Sequence, residues 1–205
     1  MIASPLTVGF DLDMTLIDSR PGIHATMTEL SRRTGVFIDA DAAVTRLGPP
    51  LEEELVRWFP EERVAAVADE YRALYPDHAI IPTTALPGAA EAFAAIHERG
   101  GRVLVVTAKY GPSAALHLEH LGLAPDVLVG WHWGPKKGEA LKEHGATVYV
   151  GDHIGDILGA RAAGAVAVSV ATGPVSAADL AAAGADAVLA DLRGFPAWLD
   201  GYLAA

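Results

Sequence analysis

The chain has no cysteine, which excludes a disulfide framework and any thiol chemistry. Lysine is almost as scarce, occurring only at positions 109, 136, 137 and 142. Fifteen lysines and arginines face 26 acidic residues, for a formal net charge of -11. The basic residues are scattered, so the sequence offers no basic face for nucleic acid phosphates or for an anionic membrane surface. Long apolar runs are also missing. The longest uncharged stretch, between Arg161 and Asp179, is interrupted by Gly164, Gly173 and Pro174 and reads as helix end, strand and turn rather than a membrane span. The residues before Asp11 lack the basic head and the length of a signal peptide. A soluble, cytoplasmic protein is expected. No G-x-G-x-x-G follows a strand, and Gly134-Pro135-Lys136-Lys137 has neither the glycine spacing nor the Lys-Ser/Thr pair of a P-loop.

What remains is a chain of 205 residues, 51% of them hydrophobic, enough for one or two domains of roughly 150 residues each. Two textures alternate. Residues 1–16 and 83–205 carry short apolar strand runs, at Leu6–Phe10, Arg102–Thr107, Asp126–Trp131, Thr147–Gly151, Val166–Ala171 and Ala187–Ala190. Helical stretches separate them, near Gly88–Arg99, Ser113–Leu121, Lys137–His144, Gly155–Ala163, Ala177–Ala183 and Gly194–Leu203. Alternating strand and helix predicts an α/β fold, a Rossmann-like parallel sheet covered on both faces. Residues 17–82 contain no strong strand run. Met27 with Leu30, Leu51 with Leu55, and Val64 with Val67 and Tyr71 recur at helical spacing, and Asp41, Pro50 and Pro60–Glu61 read as helix boundaries. They predict a helical insert of three or four helices, rooted after the first strand. Ligands of such sheets bind beyond the carboxyl ends of the strands, so an insert rooted there is expected to act as a lid.

Four polar signals stand at four strand exits: Asp11-Leu12-Asp13-Met14-Thr15, Thr107, Lys136-Lys137 and Gly151-Asp152-His153-Ile154-Gly155-Asp156. Parallel strands bring these exits to one edge. Asp11 and Asp13, one residue apart at the mouth of a buried strand, repel each other and lose solvation unless a cation offsets the repulsion. An acidic protein that handles an anion must gather its few cations in one pocket or borrow a metal. Together the residues make a phosphoryl-transfer site. Asp11 is placed to attack phosphorus, and Asp13 to protonate the leaving oxygen and then take a proton from water. Asp152 and Asp156 complete an oxygen shell suited to Mg²⁺. The Thr107 hydroxyl and the backbone N–H groups that follow Asp11 and Thr107, the latter at Ala108, are donors to phosphate oxygens. Lys137 or Lys136 supplies a cation for the transition state. Taken singly, each signal has an ordinary structural reading as a turn former, a helix cap or a solvated lysine; their joint occurrence at strand exits is what points to one site. Arg46 and Gly48, in a turn of the insert, and Arg20 are candidates to contact the substrate. Trp131-His132-Trp133 reads as strand-end packing, with a rim contacting substrate or a second subunit as the alternative. His153 is either a neighbour of the metal or structural.

The run Asp11–Ser19, the strand-final Thr107, Lys137 and Gly151–Asp156 resemble the four motifs of the haloacid dehalogenase superfamily of phosphohydrolases, over nearly the whole chain. The ending Leu16-Ile17-Asp18-Ser19 and the position of the insert are similar to the phosphoglycolate phosphatase-like branch. The resemblance implies a Rossmann-like core (1–16 and 83–205) with a helical cap (17–82), Asp11 as nucleophile, Asp13 as acid and base, and Mg²⁺ on Asp11, the Asp13 carbonyl and Asp152, with Asp156 supporting the shell. Thr15, Ala108 and Lys109 fall on positions that face the phosphate. Two departures stand out. The third motif is the shortened Gly134-Pro135-Lys136-Lys137-Gly138, which leaves two lysines to choose between; Lys137, at the head of the helical run, is preferred. The second motif reads Thr107-Ala108-Lys109-Tyr110 where Thr-Asn-Lys-Pro is common. A small phosphorylated metabolite is the expected substrate, of a monomer or a homodimer. A dehalogenase would lack Asp13, and a phosphonate hydrolase would need a lysine in 17–82, where there is none. A sugar phosphomutase of the beta-phosphoglucomutase type shares Asp11 and Asp13. From another class, a receiver-like phospho-acceptor module lacks a cap, and a non-catalytic module would need a broken site.

Overall fold

A computed structural model describes residues 6–205; the first five residues of the 1–16 segment lie outside it. In chain order the elements are β1 (Thr7–Phe10), β2 (Ile17–Asp18), α1 (Arg20–Thr34), α2 (Ala40–Ala43), α3 (Leu51–Leu55), α4 (Glu61–Ala79), β3 (Thr84–Ala85), α5 (Ala89–His97), β4 (Arg102–Val106), α6 (Gly111–His120), β5 (Val127–Val129), α7 (Lys137–Glu143), β6 (Val148–Gly151), α8 (Ile154–Ala163), β7 (Val166–Val170), α9 (Ala177–Ala182), β8 (Ala187–Leu189) and α10 (Phe195–Ala204).

Six strands form one sheet in the order β5-β4-β1-β6-β7-β8, every pairing parallel. Side chains alternate across it. Val8, Phe10, Val103, Val105, Val148 and Val150 face α5, α6 and α10, where Phe10 meets Phe93 and Phe195 at ring separations of 5.5 and 5.4 Å. Leu104, Val106, Tyr149 and Ala167 face α7, α8 and α9. Burial on both faces is why these strands read as continuous apolar runs. β1 is central, so Asp11 continues it directly; its N–H bonds the Val150 carbonyl at 2.8 Å.

The chain leaves the sheet through β2 and returns through β3, an antiparallel pair with Ile17 opposite Ala85. Between them α1–α4 pack around a core of their own that includes Met27, Leu30, Leu55, Val64, Val67, Tyr71 and Tyr75. At Gly22, α1 passes so close to α4 that a Cβ would strike the Ala79 backbone. Pro50 and Pro60 precede α3 and α4. The first boundary shifts: the N-cap of α2 is Asp39, whose side chain accepts from Ala42 N–H at 2.9 Å, and Asp41 lies inside the first turn. Among the described residues no helix is long and apolar enough to cross a membrane.

Candidate active site

The loop after β1 folds back at once. Met14, at φ 60°, donates to the Ile17 carbonyl at 2.8 Å, and the Leu16 and Ile17 N–H groups reach the Leu12 carbonyl. This tight turn lets Asp11 and Asp13 both project from the carboxyl edge of the sheet. The loop after β6 adds Asp152 and Asp156. Asp156 closes a capping box at the head of α8, accepting from His153 N–H at 3.0 Å, while the His153 ring accepts from Gly155 N–H. Asp11, Asp152 and Asp156 are all buried, and each places an oxygen within 4.8 Å of the others.

Lys137 reaches this cluster from the first residue of α7. Its Nζ donates to Asp11 Oδ1 at 2.7 Å and to Asp156 Oδ1 at 2.6 Å, with only 1% of its surface exposed. Lys136 is exposed. Of the two neighbouring lysines, helix register turns Lys137 and not Lys136 to the carboxylates. Burial works against charge on Lys137, but Asp11 and Asp156 outweigh it and hold the ammonium well above its usual range. On the other side, Asp13 lines a cavity and sits 3.0 Å from Lys109 Nζ. That pair is misaligned for a hydrogen bond, so among the described residues Asp13 Oδ1 is buried without a hydrogen-bond partner. Burial raises Asp13, yet Lys109, Ser19 and His117 together bring its carboxyl below the ordinary range.

The cluster fits a divalent cation. Three carboxylates (Asp11, Asp152 and Asp156) meet one ammonium group, that of Lys137, a formal charge of minus two. Burial pushes Asp11 up to about 7 against the pull of Lys137, with Asp156 and Asp13 adding repulsion. Burial, then Asp156 and Asp11, likewise raise Asp152 well above its ordinary value. Buried carboxylates so under-compensated are what a hard cation with oxygen ligands relieves. The Asp13 carboxylate is outside the three-residue cluster.

Other predicted residues fall less simply. Thr15 is fully buried and its hydroxyl donates to Asp152 Oδ1 at 2.9 Å, so its side chain orients a carboxylate instead of touching a substrate. Thr107 is buried; its hydroxyl accepts from Lys109 N–H at 3.1 Å. Ala108 and Lys109 line the cavity. Arg46 and Gly48 line it too, Arg46 paired bidentately with Glu54 and Gly48, at φ 131°, against the rings of His153 and Trp133. Arg20 does not line it: it pairs with Asp18 at the surface, 2.7 Å away. Trp133 packs on His153 at 5.0 Å, whereas Trp131 lines the cavity.

The sequence reading missed two groups. Gly173 lies where any Cβ would collide with Asp152, a close approach hidden in what reads as an ordinary turn. Tyr75 and His117, both buried, join α4 to α6 with Oη and Nε2 2.9 Å apart; the pairing of Tyr71 and Tyr75 one turn apart was the only available signal.

The sequence profile of the haloacid dehalogenase-like hydrolases matches residues 8–161, and a related HAD-hydrolase-like profile matches 135–195. The chain is 32% identical over 189 residues to the probable phosphatase IndB of Dickeya dadantii, covering 82% of each chain. It is 29% identical to the tyrosine-protein kinase PtkA of Mycobacterium tuberculosis, over 83% of this chain and 63% of that one. It is also 29% identical to the phosphoglycolate phosphatase of Neisseria gonorrhoeae, over 81% and 80%. A haloacid dehalogenase-like hydrolase from Streptococcus pneumoniae superposes with a TM-score of 0.83 at 23% identity, over 97% of this chain and all of that one, a likeness of fold.

Proposed function

The chain belongs to the haloacid dehalogenase-like hydrolases, and from that premise we propose that it is a Mg²⁺-dependent phosphatase that hydrolyses a small phosphomonoester through an aspartyl-phosphate on Asp11. The observation that carries this reading is the state of Asp11. It directly follows the central strand, Lys137 fixes its Oδ1, and no hydrogen bond among the described residues engages Oδ2. One oxygen is held and the other is left to react.

In this mechanism Asp11 Oδ2 attacks phosphorus while the ester P–O bond breaks, and Asp13 gives the leaving oxygen its proton. Asp13 is ionised beside Lys109 before substrate arrives. The incoming dianion competes for Lys109 and adds negative charge next to Asp13, so the carboxyl takes up a proton with the substrate. In the second step Asp13 removes a proton from the water that attacks the aspartyl-phosphate, which frees inorganic phosphate and restores Asp11. Lys137 holds Asp11 in line throughout, and Thr107 with the Ala108 N–H directs donors at the phosphoryl oxygens. Asp11, Asp152 and Asp156 are the residues that would hold Mg²⁺, which when bound supplies charge neutralisation at the transferred group. The helical unit of residues 17–82 serves as the cap. Hydrolysis is preferred to kinase chemistry, named for one relative, because the chain lacks the glycine-rich nucleotide motifs.

The test is phosphate release from a panel of phosphomonoesters, with Mg²⁺ and with EDTA. Asp11→Asn is expected to reduce release to the blank while the protein stays folded. Asp13→Asn should lose about 10²–10⁴-fold. Full metal-dependent turnover by Asp11→Asn would exclude the mechanism.

A further inference from the structure

The cavity that Asp13, Ala108 and Lys109 close at one end extends beneath the cap for about 360 Å³. That lies within the roughly 300–1,000 Å³ of pockets that enclose whole ring-bearing ligands. Its remaining wall is mostly apolar, with Ile23, Met27, Leu47, Tyr71, Tyr75 and Trp131 among its residues.

Two features set the chemistry of this space. The first is an aromatic platform. Trp131 is 60% exposed and sits at φ 64°, a backbone state that is unfavourable for a bulky side chain. Its ring is not needed in the core, yet it is turned to the cavity beside Tyr110, 5.6 Å away. From the cap, the Arg72 guanidinium lies 5.0 Å from the Trp131 ring and 5.8 Å from the Tyr110 ring. The loops that carry the two rings are tied together, Trp131 N–H donating to the Lys109 carbonyl at 3.0 Å. The second feature is charge. Each cation of the wall already has an anion: Arg46 has Glu54, Arg72 has Glu52 and Lys109 has Asp13. A leaving group with its own carboxylate would meet Glu52, Glu54 and Asp13 and would have to break one of these pairs. An uncharged leaving group breaks none.

We propose that the cavity selects a phosphomonoester whose alcohol carries a planar, uncharged ring, stacked on Trp131 with the tilted Tyr110 ring against its edge, in preference to a short or carboxylate-bearing alcohol. The proposal rests on the phosphatase reading above and names the substrate class of that same site. Ring stacking supplies the discrimination, and the cap closes over the ring instead of over a charge.

The experiment compares kcat/KM, at saturating Mg²⁺, for 2-phenylethyl, 2-cyclohexylethyl and propyl phosphates and for 2-phosphoglycolate. All are esters of alkyl alcohols, so aryl leaving-group reactivity is not a factor. The phenylethyl ester is expected to exceed the propyl ester and phosphoglycolate at least tenfold, with the cyclohexyl ester between. Trp131→Asn keeps a residue that tolerates the positive φ and should cut the phenylethyl-to-propyl ratio about tenfold, the scale of one aromatic contact, chiefly through KM. Tyr110→Leu, which leaves the Trp131 backbone untouched, should lower the same ratio and guards against misfolding of the first variant. Equal or better turnover of propyl phosphate or phosphoglycolate, or ratios unmoved in both variants, would overturn the ring proposal and leave the phosphatase standing. No turnover of any ester by the wild type, or turnover that survives Asp11→Asn, would instead overturn the phosphatase reading itself.

Discussion

Among the described residues Lys137 is the only ammonium that touches Asp11 and Asp156, and it does so with both carboxylates and itself almost wholly buried. Removing one member of such a group leaves the others as uncompensated buried charge, at a cost of about 3–5 kcal/mol. Lys137→Met keeps the length and the apolar stem but not the charge. In EDTA it should lower the melting temperature by roughly 10 °C for a chain of this size, and millimolar Mg²⁺ should recover part of the loss because a divalent ion relieves the same repulsion. Equal melting of variant and wild type in EDTA would show that the carboxylates are not under-compensated. The acids were legible in the sequence because they stand on the short loops that leave β1 and β6, and parallel strands send those loops to one edge; that Lys137 and not Lys136 turns inward is set by the start of α7, which the doubled lysine does not encode. Thr15 and Arg20 were not. Whether a hydroxyl turns to a substrate or to Asp152, and whether an arginine reaches a cleft or folds onto Asp18 two residues away, depends on side-chain geometry that spacing does not encode.

The six sheet strands could be read within a residue or two because each is a continuous apolar run, buried on both faces in the four inner strands and half-buried in the edge strands β5 and β8. The β2–β3 ribbon was invisible. Its strands are two residues long, and Thr84 and Ala85 are exposed, so no periodicity betrays it. The turn after β7 was equally opaque. Gly173 was read as an interruption, whereas in the folded chain it permits the loop to lie directly on Asp152. A methyl group there displaces the carboxylate or the loop. Gly173→Ala should therefore weaken Mg²⁺ activation about 10–100-fold, the usual penalty for disturbing the support of a metal ligand. Gly201→Ala, in α10 with open space around it, should leave activation unchanged and add about 0.5–1 kcal/mol of stability from the lost chain entropy. Titration of activity against Mg²⁺ separates the two; identical curves for Gly173→Ala and wild type would mean that the loop yields freely.

For the molecule as a whole, the join between the helical unit and the sheet domain matters most, and part of it is a buried hydrogen bond between Tyr75 and His117. Burial, helped by the charges of Lys109 and His120 and opposed by Asp13, pushes the His117 imidazole down to about 4. Among the described residues its Nδ1 has no partner, so the Nδ1–H of an imidazolium would find no acceptor. An unfolded chain takes up that proton near 6.5 and the folded one does not, so between these values the unfolded state binds more protons. This contribution to stability is thus complete above about 6.5 and is lost as the pH falls toward 4, amounting to no more than about 2 kcal/mol between pH 7 and 5. The raised carboxyls of Asp11 and Asp152 act with the opposite sign, since the folded protein holds their protons more tightly. The net acid slope of the wild type therefore mixes both effects, and only a difference isolates the histidine. His117→Gln should be destabilised at pH 7 by loss of the fitted contact, yet its disadvantage against the wild type should shrink by pH 5. Urea midpoints at the two values measure this directly. A gap that stays constant or widens would mean that His117 is protonated in the folded protein, and that the helical unit is joined to the sheet by a charged contact.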